Sequence, residues 1–211
     1  MRTRRGEIAY DVLGEGPAVV LVHGTPSRSL MWRHVAGVLA RRYQVFVWDL
    51  LGFGASERHL QQDLSLVAHG EVLSELVERW ELQHPTLIGH DIGGAVALRA
   101  HLVEGVPVSH LVLVDAVVLA PWITPRTRQM QQNLDTWLPL PNRELADLIQ
   151  AHLRSATVRP PTERIARLIP GAERVVIPAA GHFSMEDQPD QISATIEAFL
   201  ARLHAAAVCG S

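Results

Sequence analysis

Residues Leu87–Gly94 read LIGHDIGG, and this stretch joins an apolar strand pattern to a helical pattern through polar residues. Small residues, Gly89 and Gly93, stand two positions before and two positions after Asp91. A sharp strand-to-helix turn needs small residues at both places. The N-terminus of the following helix directs N–H groups at the turn and favours a carboxylate there. The pattern predicts a nucleophile elbow centred on Asp91; the alternative is that Asp91 only caps the helix.

Outward from this turn, short apolar runs alternate with longer helical patterns along the chain. This alternation predicts an α/β fold, a three-layer α/β/α sandwich with a mostly parallel sheet, as one domain over residues 1–211. The predicted strands are Glu7–Leu13, Ala18–Val22, Gln44–Trp48, Thr86–Gly89, Leu111–Val114 and Arg174–Ile177. The predicted helices are Leu30–Arg41, Leu64–Trp80, Gly93–Leu102 and Gln188–Leu203.

The composition changes between Pro121 and Pro161, where polar helical patterns follow proline-rich turns. Residues 121–160 are therefore predicted to form a reduced helical cap inserted in the domain, with helices over Arg126–Trp137 and Asn142–Leu153. An ordinary pair of connecting helices is the alternative. Trp122 and Trp137 are candidates to line a substrate pocket, although an aromatic residue on a helix face also serves as core.

The charge balance excludes several classes of function. The 211 residues carry 19 basic and 22 acidic side chains, a formal net charge of −3, without the long basic run that binds a phosphate backbone. All the basic residues are arginines, so lysine chemistry is excluded. We expect no nucleic-acid partner, and a small-molecule substrate instead; a homodimer is left open.

Features of targeting and of metal or cofactor binding are also missing from the sequence. The N-terminus has no long apolar core, and the most apolar stretch is shorter than a bilayer span. With Cys209 as the one cysteine, we expect a soluble, cytoplasmic protein without an intramolecular disulfide and without membrane association. Since no Cys/His cluster has ligand spacing and no glycine-rich phosphate loop follows a strand, no metal and no cofactor are expected.

Four motifs together resemble the α/β-hydrolase superfamily over most of the chain. They are the Asp91 turn, HGTP at His23–Pro26, DLLGFGAS at Asp49–Ser56 and AGHF at Ala180–Phe183. The longer string HGTPSRSLMWR is similar to the haloalkane dehalogenase and epoxide hydrolase branch, whose nucleophile is an aspartate. The resemblance implies that the backbone N–H groups of Thr25 and Ile92 form an oxyanion hole and that His182 is the catalytic base. His23 and His90 are expected to serve in packing and hydrogen bonding.

The aspartate nucleophile implies a reaction at a saturated carbon. A carboxylate displaces a leaving group there and forms an alkyl ester with the enzyme, which water activated by His182 then hydrolyses. Small apolar haloalkanes or epoxides are the implied substrates. The sequence departs from the dehalogenase pattern at Ile92, where a halide-binding tryptophan is usual, and at Thr25, where asparagine is frequent. Epoxide hydrolases use cap tyrosines, but Tyr10 and Tyr43 both lie outside the predicted cap.

The acid that orients the catalytic histidine is the part of the family pattern that this sequence does not match. The family's penultimate strand and the acid after it are missing where Pro160 meets Pro161, through a deletion or because residues are absent from this sequence. Asp115, after the strand Leu111–Val114, is the best candidate, and Glu163 is the next acid near the gap. Two other functions stay open: a catalytically incomplete binding protein, and an ester or carbon–carbon hydrolase, which usually carries serine in place of Asp91.

Overall fold

The computed structural model describes residues 1–120, 125–137, 139–141, 143–144, 147 and 162–209. The strands are β1 (Arg2–Thr3), β2 (Gly6–Glu7), β3 (Tyr10–Leu13), β4 (Ala18–Val22), β5 (Gln44–Trp48), β6 (Thr86–His90) and β7 (His110–Val114). A 3-10 turn over Ser29–Trp32 precedes the first helix. The helices are α1 (Arg33–Leu39), α2 (Leu66–Arg79), α3 (Ile92–Leu102), α4 (Pro125–Gln132), α5 (Leu134–Trp137), α6 (Thr162–Leu168), α7 (Ser184–Asp187) and α8 (Pro189–Cys209). None of the helices within these ranges is long and apolar enough to cross a bilayer.

The main sheet has five strands in the order β3-β5-β4-β6-β7 among the described residues. The pairs β5–β4, β4–β6 and β6–β7 are parallel, and β3 pairs antiparallel with β5. Parallel strands bring their carboxyl ends to one edge of the sheet, where ligands bind in α/β folds. The loops that begin at His23, Asp49, Asp91 and Asp115 therefore meet at this edge.

Helices cover both faces of the sheet, because successive strand residues point to opposite sides. Val20 and Val22 belong to the core beneath α2 and α3, whereas Val19 and Leu21 belong to the core beneath α1 and α8. The predicted stripe on the last helix is part of the second core, with Ile192, Ile196 and Leu200 buried. The predicted three-layer α/β/α architecture with a mostly parallel sheet is confirmed.

The prediction of one outer strand over Glu7–Leu13 is wrong in its extent. Gly6–Glu7 pairs with Arg2–Thr3 in a small separate sheet, and only Tyr10–Leu13 joins the main sheet. Between them the chain bends at Ala9, whose N–H donates to the Ser56 hydroxyl at 3.0 Å. A side chain in the β5–α2 loop takes the place of a strand partner at this residue, so the strand is interrupted.

The prediction of a strand over Arg174–Ile177 is also wrong. These residues form no strand, and Val175 and Val176 are each 58% exposed. A strand needs a neighbour to accept its hydrogen bonds, and the described sheet ends at β7. The residues of β7 are mostly half-buried, whereas all five residues of β6 are buried. The apolar run has the composition of a strand but pairs with no strand among the described residues.

The predicted cap is described only in part. Its first helix, expected over Arg126–Trp137, is divided into α4 and α5 at Asn133, whose side-chain amide donates to the Gln129 carbonyl at 2.7 Å. Most of the second predicted helix, Asn142–Leu153, lies outside the described residues. The boundaries 121–160 of the cap therefore stay a prediction.

Candidate active site

The turn at Asp91 joins β6 to α3 through a strained backbone. Asp91 has φ 52° and ψ −123°, a conformation that L-residues adopt at a cost. A Cβ atom on Gly89 would lie 2.5 Å from the Gly93 carbonyl oxygen, and one on Gly93 would lie 2.4 Å from the Val22 carbonyl oxygen. Both glycines are therefore needed for close backbone approach. Asp91 stands at the N-cap of α3 but makes no capping hydrogen bond with its side chain, contrary to the helix-cap alternative.

Backbone N–H groups surround the Asp91 carboxylate. The Thr25 N–H donates to Asp91 Oδ2 at 3.0 Å, and the Thr25 hydroxyl lies 3.4 Å from the same oxygen. The Ile92 N–H also lowers the pKa of this carboxyl. Asp91 is only 8% exposed, so these interactions take place largely away from solvent. The two residues expected to form an oxyanion hole thus both act on Asp91 in the resting protein.

His182 reaches the other oxygen of Asp91. Its Nε2 atom lies 3.5 Å from Asp91 Oδ1, and 17% of the His182 side chain is exposed. His182 lies in the loop before α7, so the long chain segment after β7 returns it to the carboxyl edge of the sheet. The structure therefore places together four of the residues singled out in the sequence: Thr25, Asp91, Ile92 and His182.

Asp91 and His182 shift each other's pKa in the directions of an ion pair. Burial raises the pKa of Asp91, but the His182 imidazole and the N–H groups of Ile92 and Thr25 outweigh it, and the pKa is held below its usual value. Burial lowers the pKa of His182, but Asp91 and, more weakly, Asp115 outweigh it and raise the pKa. The resting site therefore favours a carboxylate beside an imidazolium.

Asp115 lies next to the pair but does not bond to the His182 ring. It follows β7 with φ 44°, and its loop is fastened to the elbow because the Val117 N–H donates to the Asp91 carbonyl at 3.0 Å. Burial raises the pKa of Asp115, while His182 and the Ser184 hydroxyl act in the opposite direction. Within the described residues, no carboxylate hydrogen-bonds to His182 Nδ1. Glu163 belongs to α6, and its side chain lies outside what the structure describes.

Asp49 organises the loop that carries Thr25 (residues 23–29), a role that the sequence pattern did not reveal. Its Oδ1 accepts from the Ser29 N–H at 2.7 Å, and its Oδ2 accepts from the Ala55 N–H at 2.8 Å. His23 supports the same loop: Nε2 accepts from the Leu50 N–H at 2.9 Å, so Nδ1 donates to the Gly24 carbonyl at 2.8 Å. The aspartate at the start of the DLLGFGAS segment was the available signal.

Buried His90 was expected to pack and to form hydrogen bonds, and the structure supplies its partner. Its Nε2 atom lies 2.7 Å from the backbone carbonyl oxygen of His182. The rings of His90 and His182 lie 4.8 Å apart, and those of His90 and Phe183 lie 5.3 Å apart. The residue before Asp91 is therefore in direct contact with the loop that carries His182.

The structure describes a cavity near the site but not the side chains of the predicted pocket residues. Trp122 lies outside the described residues, and so does the side chain of Trp137. A shallow cavity of about 460 Å³ opens beside the Thr25 loop, with Phe53, Met31 and charged side chains such as Arg58 in its wall. Across the part of the chain that the structure describes, no cluster of three His, Cys, Asp or Glu side chains suits a metal ion.

Comparison with known proteins identifies the family of the fold. The model of a family described as "alpha/beta hydrolase fold" matches residues 17–154. A crystal structure of an α/β hydrolase fold protein from Burkholderia ambifaria has a TM-score of 0.70 and 38% identity, over 78% of this chain and 61% of that one.

Two curated relatives are dehalogenases. Haloalkane dehalogenase 2 of Mycobacterium tuberculosis is 35% identical over 107 residues, 48% of this chain and 37% of the relative. A fluoroacetate dehalogenase from a Burkholderia species is 33% identical over 108 residues, 49% of this chain and 36% of the relative. The chain spans about a third of the length of these curated relatives.

Proposed function

The chain belongs to the α/β hydrolase fold family, and on this premise we propose that it is a hydrolase with Asp91 as nucleophile and His182 as base. The observation that carries the proposal is the position of the Asp91 carboxylate, between the Thr25 N–H at 3.0 Å and His182 Nε2 at 3.5 Å. One carboxylate oxygen is held by a backbone donor and the other faces a titratable base. This arrangement suits an ester that forms on Asp91 and is then hydrolysed.

In the first step, Asp91 Oδ1 attacks a saturated carbon of the substrate. The new bond joins Oδ1 to carbon, and the bond from that carbon to the leaving group breaks with its electron pair on the leaving group. A halide leaves as the free anion, whereas an epoxide oxygen stays attached and takes a proton from water. The Thr25 N–H keeps Oδ2 in place during this step, so Oδ2 becomes the carbonyl oxygen of the ester.

In the second step, His182 removes a proton from a water that attacks the carboxyl carbon of Asp91. The negative charge that develops on Oδ2 is stabilised by the N–H groups of Thr25 and Ile92. The bond from the carboxyl carbon to Oδ1 then breaks, and Oδ1 leaves with the substrate carbon as an alcohol after it takes the proton from His182. Asp91 keeps Oδ2 and the oxygen from water, and its remaining proton passes to solvent. Ester formation removes the charge of Asp91, which raises the pKa of His182 more strongly than Asp115 does. The pKa of His182 therefore falls after the first step, and the ring releases its proton to solvent and becomes a neutral base.

Alkyl halides and epoxides are the substrate class that fits an aspartate nucleophile. A serine that attacked a saturated carbon would form an ether, which activated water does not readily cleave, whereas the ester on Asp91 is hydrolysable. Esters and carbon–carbon bonds are disfavoured as substrates because relatives that act on them usually carry serine at the position of Asp91. Ile92 lacks the indole N–H that would hold a halide, so we propose no side-chain halide ligand at that position.

The experiment that tests this function traps the intermediate. His182→Gln removes the base but leaves Asp91 in place, so incubation with n-butyl bromide or styrene oxide should increase the intact mass by one alkyl group. Peptide mapping should find the added mass on Asp91. The double variant His182→Gln/Asp91→Ala should gain no mass, and the exposed His34→Gln should behave like the wild type. An unmodified Asp91 with both probes would contradict the proposal.

A second candidate function is a binding protein with an incomplete catalytic triad. It is favoured by one observation, the lack of a carboxylate bonded to His182 Nδ1 within the described residues. Such a protein would hold a ligand near Asp91 without forming an ester. The trapping experiment distinguishes the two functions, because a binding protein would show no alkylated Asp91 in the His182→Gln variant.

A further inference from the structure

His90 ends β6 and is completely buried, with 0% of its surface exposed. Its Nε2 atom lies 2.7 Å from the His182 carbonyl oxygen, and a carbonyl can only accept a hydrogen bond. Nε2 therefore carries the proton and donates it. Burial, followed by the neighbouring His182, lowers the pKa of His90 to about 4, so the ring is neutral near pH 7 and stays in this tautomer.

The loop that carries His182 has little other support from the sheet. Residues Arg174–Ile177, which precede it, form no strand, so strand pairing does not fix the loop. Two further hydrogen bonds of the loop are local: the Gly181 N–H donates to Asp187 at 2.7 Å, and the Gln188 amide donates to the Ala179 carbonyl at 3.2 Å. The helix α7 that follows is held at Glu186, which accepts from the Arg33 guanidinium at 2.6 Å. These bonds do not reach β6. The bond from His90 joins the His182 backbone to the strand that carries the turn to Asp91.

We propose that His90 is a positioning residue whose Nε2–H bond to the His182 carbonyl holds the His182 ring against Asp91. The ring contacts add to this bond, because His90 lies 4.8 Å from the His182 ring and 5.3 Å from the Phe183 ring. A single side chain on the nucleophile strand thus fixes both the backbone and the ring plane of the base. The proposal rests on the proposed function for the role of His182, but its structural part can be tested without a substrate.

The test compares His90→Gln, whose amide nitrogen replaces Nε2 as donor, with His90→Leu, which is apolar and cannot donate. The first measurement is the NMR titration of the His182 imidazole. Asp91 and Asp115 are the charged groups that act on this ring, and both variants retain them. We expect the pKa of His182 to fall toward its ordinary value in His90→Leu, because the ring moves away from Asp91. In His90→Gln it should stay near that of the wild type.

The second measurement separates the two chemical steps with n-butyl bromide and styrene oxide. His90→Leu should slow hydrolysis of the Asp91 ester by about 10-fold or more, because the base is displaced. Formation of the ester should change by less than about 3-fold, since the Thr25–Asp91 bond is untouched. His90→Gln should restore ester hydrolysis. A wild type that forms no ester contradicts the proposed function, while the NMR titration still decides whether His90 positions His182.

A matched control is His69→Leu, a buried histidine of α2 that is 2% exposed and does not contact His182. It should lower the melting temperature without moving the His182 titration. The proposal is overturned if His182 titrates in His90→Leu as in the wild type, or if His69→Leu shifts it equally. If His90→Leu does not fold, His90→Asn replaces it, because the shorter amide does not reach the carbonyl.

Discussion

Asp91 Oδ1 lies 3.5 Å from His182 Nε2, although residues Arg174–Ile177, shortly before His182, form no strand. The two side chains come from segments that are far apart in the sequence: Asp91 follows β6, and His182 comes from the loop before α7. Their contact is built by the strained elbow on one side and by the bond from His90 on the other. The relationship leads to specific expectations for stability, pH dependence and chemistry.

The strain at Asp91 predicts an unusual order of stability. Both Asp91→Ala and Asp91→Gly remove the carboxylate, so their difference reports the backbone conformation at φ 52°. Because glycine adopts this region without a Cβ penalty, we expect Asp91→Gly to be more stable by about 1 kcal/mol in urea unfolding. At exposed Glu78, in the last turn of α2, the alanine variant should instead be the more stable. The same order at both positions would contradict the strain.

The ion pair predicts a window of pH in which it stabilises the fold. The pKa of His182 is raised, so its contribution is fully present below the unfolded pKa and is lost as the pH rises through the folded pKa. The pKa of Asp91 is lowered, so its contribution is present above the unfolded pKa and is lost as the pH falls through the folded pKa. A double-mutant cycle of Asp91→Asn and His182→Gln should give its largest coupling between about pH 4 and pH 6.5. Equal coupling at pH 9 would contradict the pair.

Asp115 is predicted to orient His182 through its charge. Asp115→Asn should lower the pKa of His182 and slow hydrolysis of the Asp91 ester by about 10-fold, because the imidazolium formed in that step loses a negative neighbour. Glu163→Gln, at the other acid near the missing strand, should leave the pKa of His182 unchanged and the rate of ester hydrolysis within about 2-fold of the wild type. NMR titration and the decay of the trapped ester measure these effects. If Glu163→Gln produced the larger loss, the orienting acid would be Glu163.

Because Arg174–Ile177 form no strand, we expect this run to tolerate polar substitutions although its sequence pattern indicates a core. Val175 and Val176 are each 58% exposed, so Val175→Asp and Val176→Asp should each change the free energy of unfolding by no more than about 0.5 kcal/mol. Val20→Asp, at a residue with 0% exposure in β4, should cost about 3 kcal/mol or more. Denaturant unfolding of the three variants checks this contrast. A large loss at Val175 or Val176 would place them in a buried strand.

These cases show which features the sequence could and could not predict. The elbow was predictable, because Gly89, Asp91 and Gly93 meet a local steric demand that five consecutive residues reveal. The absence of a strand over Arg174–Ile177 was not predictable, because strand formation depends on a partner that is remote in the sequence.

The supporting contacts of the site were also out of reach. His90 donates to a backbone carbonyl, and a carbonyl is present at every residue, so no sequence pattern identifies His182 as the acceptor. The loop contacts of Asp49 depend likewise on where Ser29 and Ala55 lie after folding. Residue types identified the candidates for chemistry, but the distances that join them required the folded chain.

The central claim is that Asp91 itself attacks the substrate, and one measurement tests it most directly. A single turnover with enzyme in excess is carried out in water labelled with heavy oxygen, with n-butyl bromide or styrene oxide as substrate. If Asp91 is the nucleophile, heavy oxygen appears in the peptide that contains Asp91 and not in the first alcohol or diol released, because the product takes its oxygen from the carboxylate. Heavy oxygen in the product with an unlabelled Asp91 would mean that water attacks the substrate directly, and would contradict the account.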